Sequence, residues 1–165
     1  MSSAAPSRQR PPLRIVAGSS VVEFIWDGDR WRHELITAAG RWRSVEGPLD
    51  GTGDSRWPES PVLVEVSLTT LAGGSAVLGV GLAGRSHFSL SAAACPGVAD
   101  TILFEAACRI HEAPAWLGST YRAADGRIVR ISAAAARPPA TVAWSYTIGP
   151  RGVEAAAPRA GSAPG

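Results

Sequence analysis

At 165 residues the chain is long enough for one domain with a sizeable hydrophobic core. The formal charge of +2 and the pI near 8.9 carry little information about partners. Every one of the 16 Lys-plus-Arg residues is Arg, Lys and Asn are absent, and Ala, Gly and Pro abound, as a GC-rich genome writes.

Setting aside Arg8, Arg10, Arg151, Arg159 and Glu154 in the Pro/Ala/Gly/Ser-rich ends leaves 12 Arg against 13 acids. That balance argues against a nucleic-acid partner, which calls for concentrated positive charge. No stretch approaches the roughly 18 apolar residues of a membrane helix. No apolar run precedes residue 15, so the start does not read as a secretory signal and a cytoplasmic protein is expected. Residues 1–12 and 150–165 read as disordered tails around a β domain over 13–149.

In chain order, VVEFIW-DG-DRWRHELI predicts a hairpin turning at Asp27-Gly28, with Trp26 opposite Asp29 and Phe24 opposite Trp31. Val22, Phe24, Trp26, Trp31 and Leu35 share one face, and His33 is expected at a sheet edge. RWRSVEG adds a strand that brings Trp42 to Trp31 and Leu35. The doubled RWR places Trp and Arg on opposite faces, so the arginines form a charged outer surface. Residues 47–61 form a turn-rich loop containing Trp57, and VLVEVSLTTL is the next strand.

Residues 76–105 admit two readings. At period two, Leu78, Val80, Leu82, Phe88, Leu90 and Ala92 form one apolar face, resumed by Ile102, Phe104, Ala106, Cys108 and Ile110. On this hairpin reading Gly79, Gly81 and Ala83 leave a nearly bare strip on the other face, open to a bulky neighbour, and Gly84 permits a bend. Pairing Ser91 with Glu105 then sets His87 opposite Arg109 and Arg85 opposite His111. These residues are candidates for binding a ligand, or form the solvated side of a sheet.

Alternatively, Gly79-x-Gly81-x-x-Gly84 followed by Glu105 resembles the opening βαβ unit of FAD- or NAD-binding oxidoreductases. That resemblance implies a cofactor cradled by the three glycines, with Glu105 on the ribose hydroxyls. Phe88 stands where the family needs a small residue, and the serine-rich RSHFSLSAAAC is a poor helix. The chain also lacks the alternating helices of a doubly wound sheet, so the hairpin is favoured and no cofactor is expected.

A second DG hairpin follows around Asp125-Gly126, and TVAWSYTI closes the domain with Val142, Trp144, Tyr146 and Ile148 on one face. Trp57 and Trp116 flank prolines or loops and are candidates for a stacking platform or for packing lids. Cys95 and Cys108 fit no metal spacing and lie too far apart in the hairpin for a disulfide.

The count is about nine strands without a convincing helix, an all-β antiparallel sandwich or barrel. GRSHFSLS, ACRI and LGSTYR together resemble a group of uncharacterised β-rich proteins of planctomycete-type bacteria, over about residues 75–122. The resemblance implies a β fold and brings no activity with it. The expected function is a non-catalytic module binding a protein or small-molecule ligand. An oxidoreductase fragment and a small hydrolase using His87, Glu105 and Arg109 are the alternatives.

Overall fold

Two six-stranded antiparallel sheets pack face to face in a computed structural model that describes residues 10–49 and 51–156. In chain order the strands are β1 (Leu13–Ala17), β2 (Ser20–Trp26), β3 (Trp31–Thr37), β4 (Gly40–Ser44), β5 (Glu65–Leu71) and β6 (Gly74–Ala83). The others are β7 (Ser86–Ala94), β8 (Ile102–Ile110), β9 (Gly118–Ala123), β10 (Ile128–Ser132), β11 (Ala140–Gly149) and β12 (Gly152–Ala155). Sheet A has the order β1-β2-β3-β4-β9-β10 and sheet B the order β12-β11-β8-β7-β6-β5. The all-β antiparallel sandwich is therefore the fold.

There are 12 strands among the described residues, against the nine or so expected. The folded part also runs past residue 149, because β12 pairs with β11 through Ile148–Val153 and Tyr146–Ala155. The tail residues 1–9 and 157–165 lie outside the described residues. No helix among the described residues is long and apolar enough to cross a membrane.

Alternation does most of the work of folding. On β3 the odd residues Trp31, His33 and Leu35 are buried while Arg32 and Glu34 reach the outer surface. On β11 the even residues Val142, Trp144, Tyr146 and Ile148 are buried, as the sequence predicts. Burying the large side chains of both inner faces supplies about 1.5–3 kcal/mol per residue before entropy is counted.

The first hairpin turns one residue later than predicted. Asp27 N–H donates to Arg30 O at 2.8 Å, so Gly28 and Asp29 form the loop, with Gly28 at φ +83°. Only the glycine then needs a positive φ, whereas a turn on Asp27-Gly28 would impose one on Asp27 as well. The register moves by two residues and every side chain keeps its face. Trp26 consequently opposes Trp31, edge to face at 5.7 Å, and Phe24 opposes His33.

The larger correction concerns β6. Gly84 and Arg85 form a two-residue turn closed by the Ala83–Ser86 pair, with Gly84 at φ +56°. A two-residue turn pairs odd positions with even ones, so Gly81 opposes Phe88 and Gly79 opposes Leu90. Phe88 and Leu90 face the core, and the glycines face it with them. Leu78, Val80 and Leu82 are turned to the outside.

What lies on the bare glycine strip is the chain itself. Leu63 is fully buried there, and a Cβ at Gly79 would stand 2.9 Å from its Cδ1. A Cβ at Gly81 would collide with the Val62 carbonyl oxygen. This segment also ties the sheets together. Leu63 O accepts from Trp31 N of sheet A, and Val64 N donates to Val80 O of sheet B.

Candidate functional site

Sheet B presents its β7–β8 register as the sequence predicts: Ser91 opposes Glu105 and His87 opposes Arg109. These four residues and Ser89 stand on the outer face, with His87, Glu105 and Arg109 exposed. Arg85 and His111 do not join them as a pair. Arg85 belongs to the β6–β7 turn, and β8 ends at Ile110, before His111. The His87 side chain makes no hydrogen bond among the described residues, so it forms no base–orienter pair.

The inverted pleat of β6 adds apolar surface to this face. Leu78, Val80 and Leu82 are 46%, 49% and 51% exposed, two residues apart along the same side of the strand. Beyond them β7, β8 and β11 offer short side chains: Val80 opposes Ser89, Ser89 opposes Ala107, and Ala107 opposes Ala143. Two depressions, of about 530 and 460 Å³, lie on this shelf.

The dinucleotide reading does not fit these residues. The helix required after Gly84 is the strand Ser86–Ala94. Gly79 and Gly81 have their open sides covered by Leu63 and Val62, and Glu105 is a mid-strand residue of β8. No pyrophosphate could approach the backbone as the fingerprint demands.

Neither loop tryptophan offers a free stacking platform. Trp57 is buried in the core at 7% exposure. Trp116 is half-buried, donates Nε1–H to Glu59 O at 3.1 Å, and carries the Arg130 guanidinium 3.7 Å over its ring. Arg130 is held there by Glu59, whose carboxylate also accepts from Thr120 Oγ1. Both are packing residues. Cys95 and Cys108 are free thiols.

His33 lies far from any sheet edge. It is 2% exposed in the middle of the core, stacked on Phe104 at 5.4 Å, with Nε2 2.6 Å from the Tyr121 hydroxyl. Tyr121 in turn shares a hydrogen bond with Tyr146, and Trp144 Nε1–H donates to Ser119 Oγ beside them. Burial lowers the His33 pKa to about 3 and raises that of Tyr146 to about 12; Tyr121 is pushed up too, by burial first. All three side chains are fully enclosed, so this polar chain joins the sheets and has no surface at which to meet a substrate. Its place was legible from parity, since His33 falls between the inward Trp31 and Leu35.

No group of three His, Cys, Asp or Glu among the described residues is placed to hold a metal ion. Comparisons with protein-family models, with curated proteins and with solved structures found no match.

Proposed function

We propose that this protein is a non-catalytic assembly module that binds a second copy of its own chain through the outer face of sheet B. The observation that supports this reading is the half-exposed row Leu78–Val80–Leu82 beside a shelf of Ser and Ala. The outer face of sheet A is the contrast. One cross-strand row there runs Arg14, Glu23, Glu34, Arg43, Arg122, charged at every position and without an aliphatic ridge. A face with aliphatic ridges, small residues and few charges is the composition of a partner surface.

Charge placement favours a second copy as the occupant. On β8, Glu105 and Arg109 flank Ala107, and both are exposed. A copy rotated by 180° about the Val80–Ser89–Ala107–Ala143 row sets each Arg109 against the other's Glu105. The same rotation sets Leu82 against Leu78. Aligned sheet packing, with side chains of one face fitting the other, is a common arrangement for such surfaces. The contact is isologous and closes as a dimer.

Sedimentation velocity over a concentration series tests the reading. The native chain is expected to dimerise, and Leu78→Ser with Leu82→Ser to yield folded monomer. Arg109→Glu should weaken the dimer, and adding Glu105→Arg should restore it. A native chain that stays monomeric at about 100 μM, where interfaces of standard size are populated, removes the proposal.

A further inference from the structure

On the opposite side of the molecule we infer a binding site for the phosphate group of a small phosphorylated metabolite, formed by Arg32, Arg41, Arg43 and Arg122. These residues line a depression of about 630 Å³ on the outer face of sheet A, together with Asp27, Glu34 and Glu46. The site is independent of the sheet B interface.

Register creates the site. Glu34 opposes Arg43 and accepts from it at 3.0 Å, which is a satisfied cross-strand ion pair. The next residue in the same row is again positive, because Arg43 opposes Arg122 on β9. Like charges directly opposite across two strands oppose pairing. Arg41 lies two residues from Arg43 on the same face of β4. Among the described residues, neither Arg41 nor Arg122 has a carboxylate within ion-pair distance of its guanidinium.

Arg32 supplies a second, separate observation. Its contacts with Asp27 and Glu34 are both 3.8 Å, too long for hydrogen bonds, and its Nε–H is buried without an acceptor. A buried donor lacking an acceptor, in the same depression as two guanidinium groups with no carboxylate partner, favours an anionic ligand. A guanidinium fork can give two parallel N–H bonds to a tetrahedral oxyanion, and these arginines lie on the three adjacent strands β3, β4 and β9.

The size and the carboxylates define the rest of the ligand. A depression of about 630 Å³ suits a small organic molecule better than a bare ion. Asp27 and Glu46 are acceptors for hydroxyl groups and repel a polyanion, which favours a phosphorylated polyol over nucleic acid.

Calorimetric titration with ribose 5-phosphate, inorganic phosphate and unphosphorylated ribose tests the site in the full chain. Ribose 5-phosphate is expected to bind below millimolar, inorganic phosphate more weakly, and ribose not at all. Arg122→Ala and Arg43→Ala should each weaken binding about tenfold or more. Arg122→Ala should keep or raise the melting temperature, since it removes the opposition to Arg43, and this separates a ligand role from a structural one. Absence of binding by both phosphate probes at ~10 mM, well above ordinary metabolite affinities, overturns the inference. So does binding that both arginine variants leave unchanged.

Discussion

The hydroxyl of Tyr121, on sheet A, lies 2.7 Å from the hydroxyl of Tyr146, on sheet B, inside a core where both side chains are fully buried. Tyr121 also meets His33 Nε2, so its oxygen is the middle of a three-member chain. Phe104 stacks on its sheet B neighbour Tyr146 at 5.1 Å and, across the sheets, on His33 at 5.4 Å. Sandwich sheets usually meet through apolar contact alone. Here a directional polar contact adds a preferred alignment, because buried hydroxyls left unpaired are costly.

Tyr121→Phe is therefore expected to destabilise the protein more than Tyr146→Phe. The first change leaves His33 Nε2 without its partner, at about 1–3 kcal/mol, and takes from the Tyr146 hydroxyl one of its two partners, Ser119 being the other. The second leaves Tyr121 still bonded to His33, for a loss of about 1–2 kcal/mol. Urea unfolding with an unchanged m-value checks the order. Equal losses would show that the cross-sheet bond does not behave as a chain.

Acid stability should carry the signature of His33. Its pKa falls from the usual 6.5 to about 3 because burial disfavours the imidazolium. The unfolded chain therefore takes up a proton below pH 6.5 that the folded chain refuses. The unfolded state binds more protons in that interval, so stability from this group is complete above pH 6.5 and declines as pH falls towards 3. The limiting slope is about 1.4 kcal/mol per pH unit. His33→Gln, which never ionises, should flatten the profile over that interval while the carboxylates still contribute. Parallel profiles for the two proteins refute the assignment.

The β6 glycines make a graded prediction. Gly81→Ala drives a methyl into the Val62 carbonyl, a backbone atom that cannot move without breaking the Leu63–Trp31 and Val64–Val80 hydrogen bonds beside it. A loss of roughly 3 kcal/mol or more is expected. At Gly79 the methyl meets the end of the Leu63 side chain at 2.9 Å, which can shift, and about 1–2 kcal/mol is lost. Gly47 has open space and no positive φ, so Gly47→Ala should fall within about 0.5 kcal/mol of the native chain. Thermal melts of the three variants rank the effects.

The two hairpin regions show what a period-two pattern can and cannot reveal. The β7–β8 register was legible because both strands carry apolar residues at even positions and the loop between them, residues 95–101, has an odd number of residues, which pairs even with even. The same pattern misled on β6. Leu78, Val80 and Leu82 share a core face with Phe88 only if the connecting loop has an odd number of residues, and Gly84–Arg85 has two. The glycines then need a reason to face inward, and that reason is Leu63, about sixteen residues upstream in a segment that reads as strand. A long-range contact of this kind leaves no local trace. The arginine depression was hidden for a related cause. The alternation of RWR places Arg41 and Arg43 outside, but only the β4–β9 pairing brings Arg122 beside them.

Glu65 gives the proposed assembly its most discriminating prediction. It opposes Val80 on the edge strand β5, so it lies at the end of the row along which the two-fold axis would run. Two copies joined about that axis bring their Glu65 carboxylates together at the rim of the interface. The repulsion is solvent-screened and modest, and it weakens the dimer. Glu65→Gln should tighten self-association by about two- to fivefold at low salt, with the gain fading as ionic strength rises past the range where the Debye length shrinks below about 8 Å. Arg109→Glu moves affinity the other way, because that residue meets an acid in the partner. A Glu65→Gln variant that associates more weakly than the native chain would place the axis elsewhere, since a two-fold along the Val80–Ala107 row brings these carboxylates together. The sign of one neutralising substitution thus reads out the geometry of the contact, independently of how strong the dimer is.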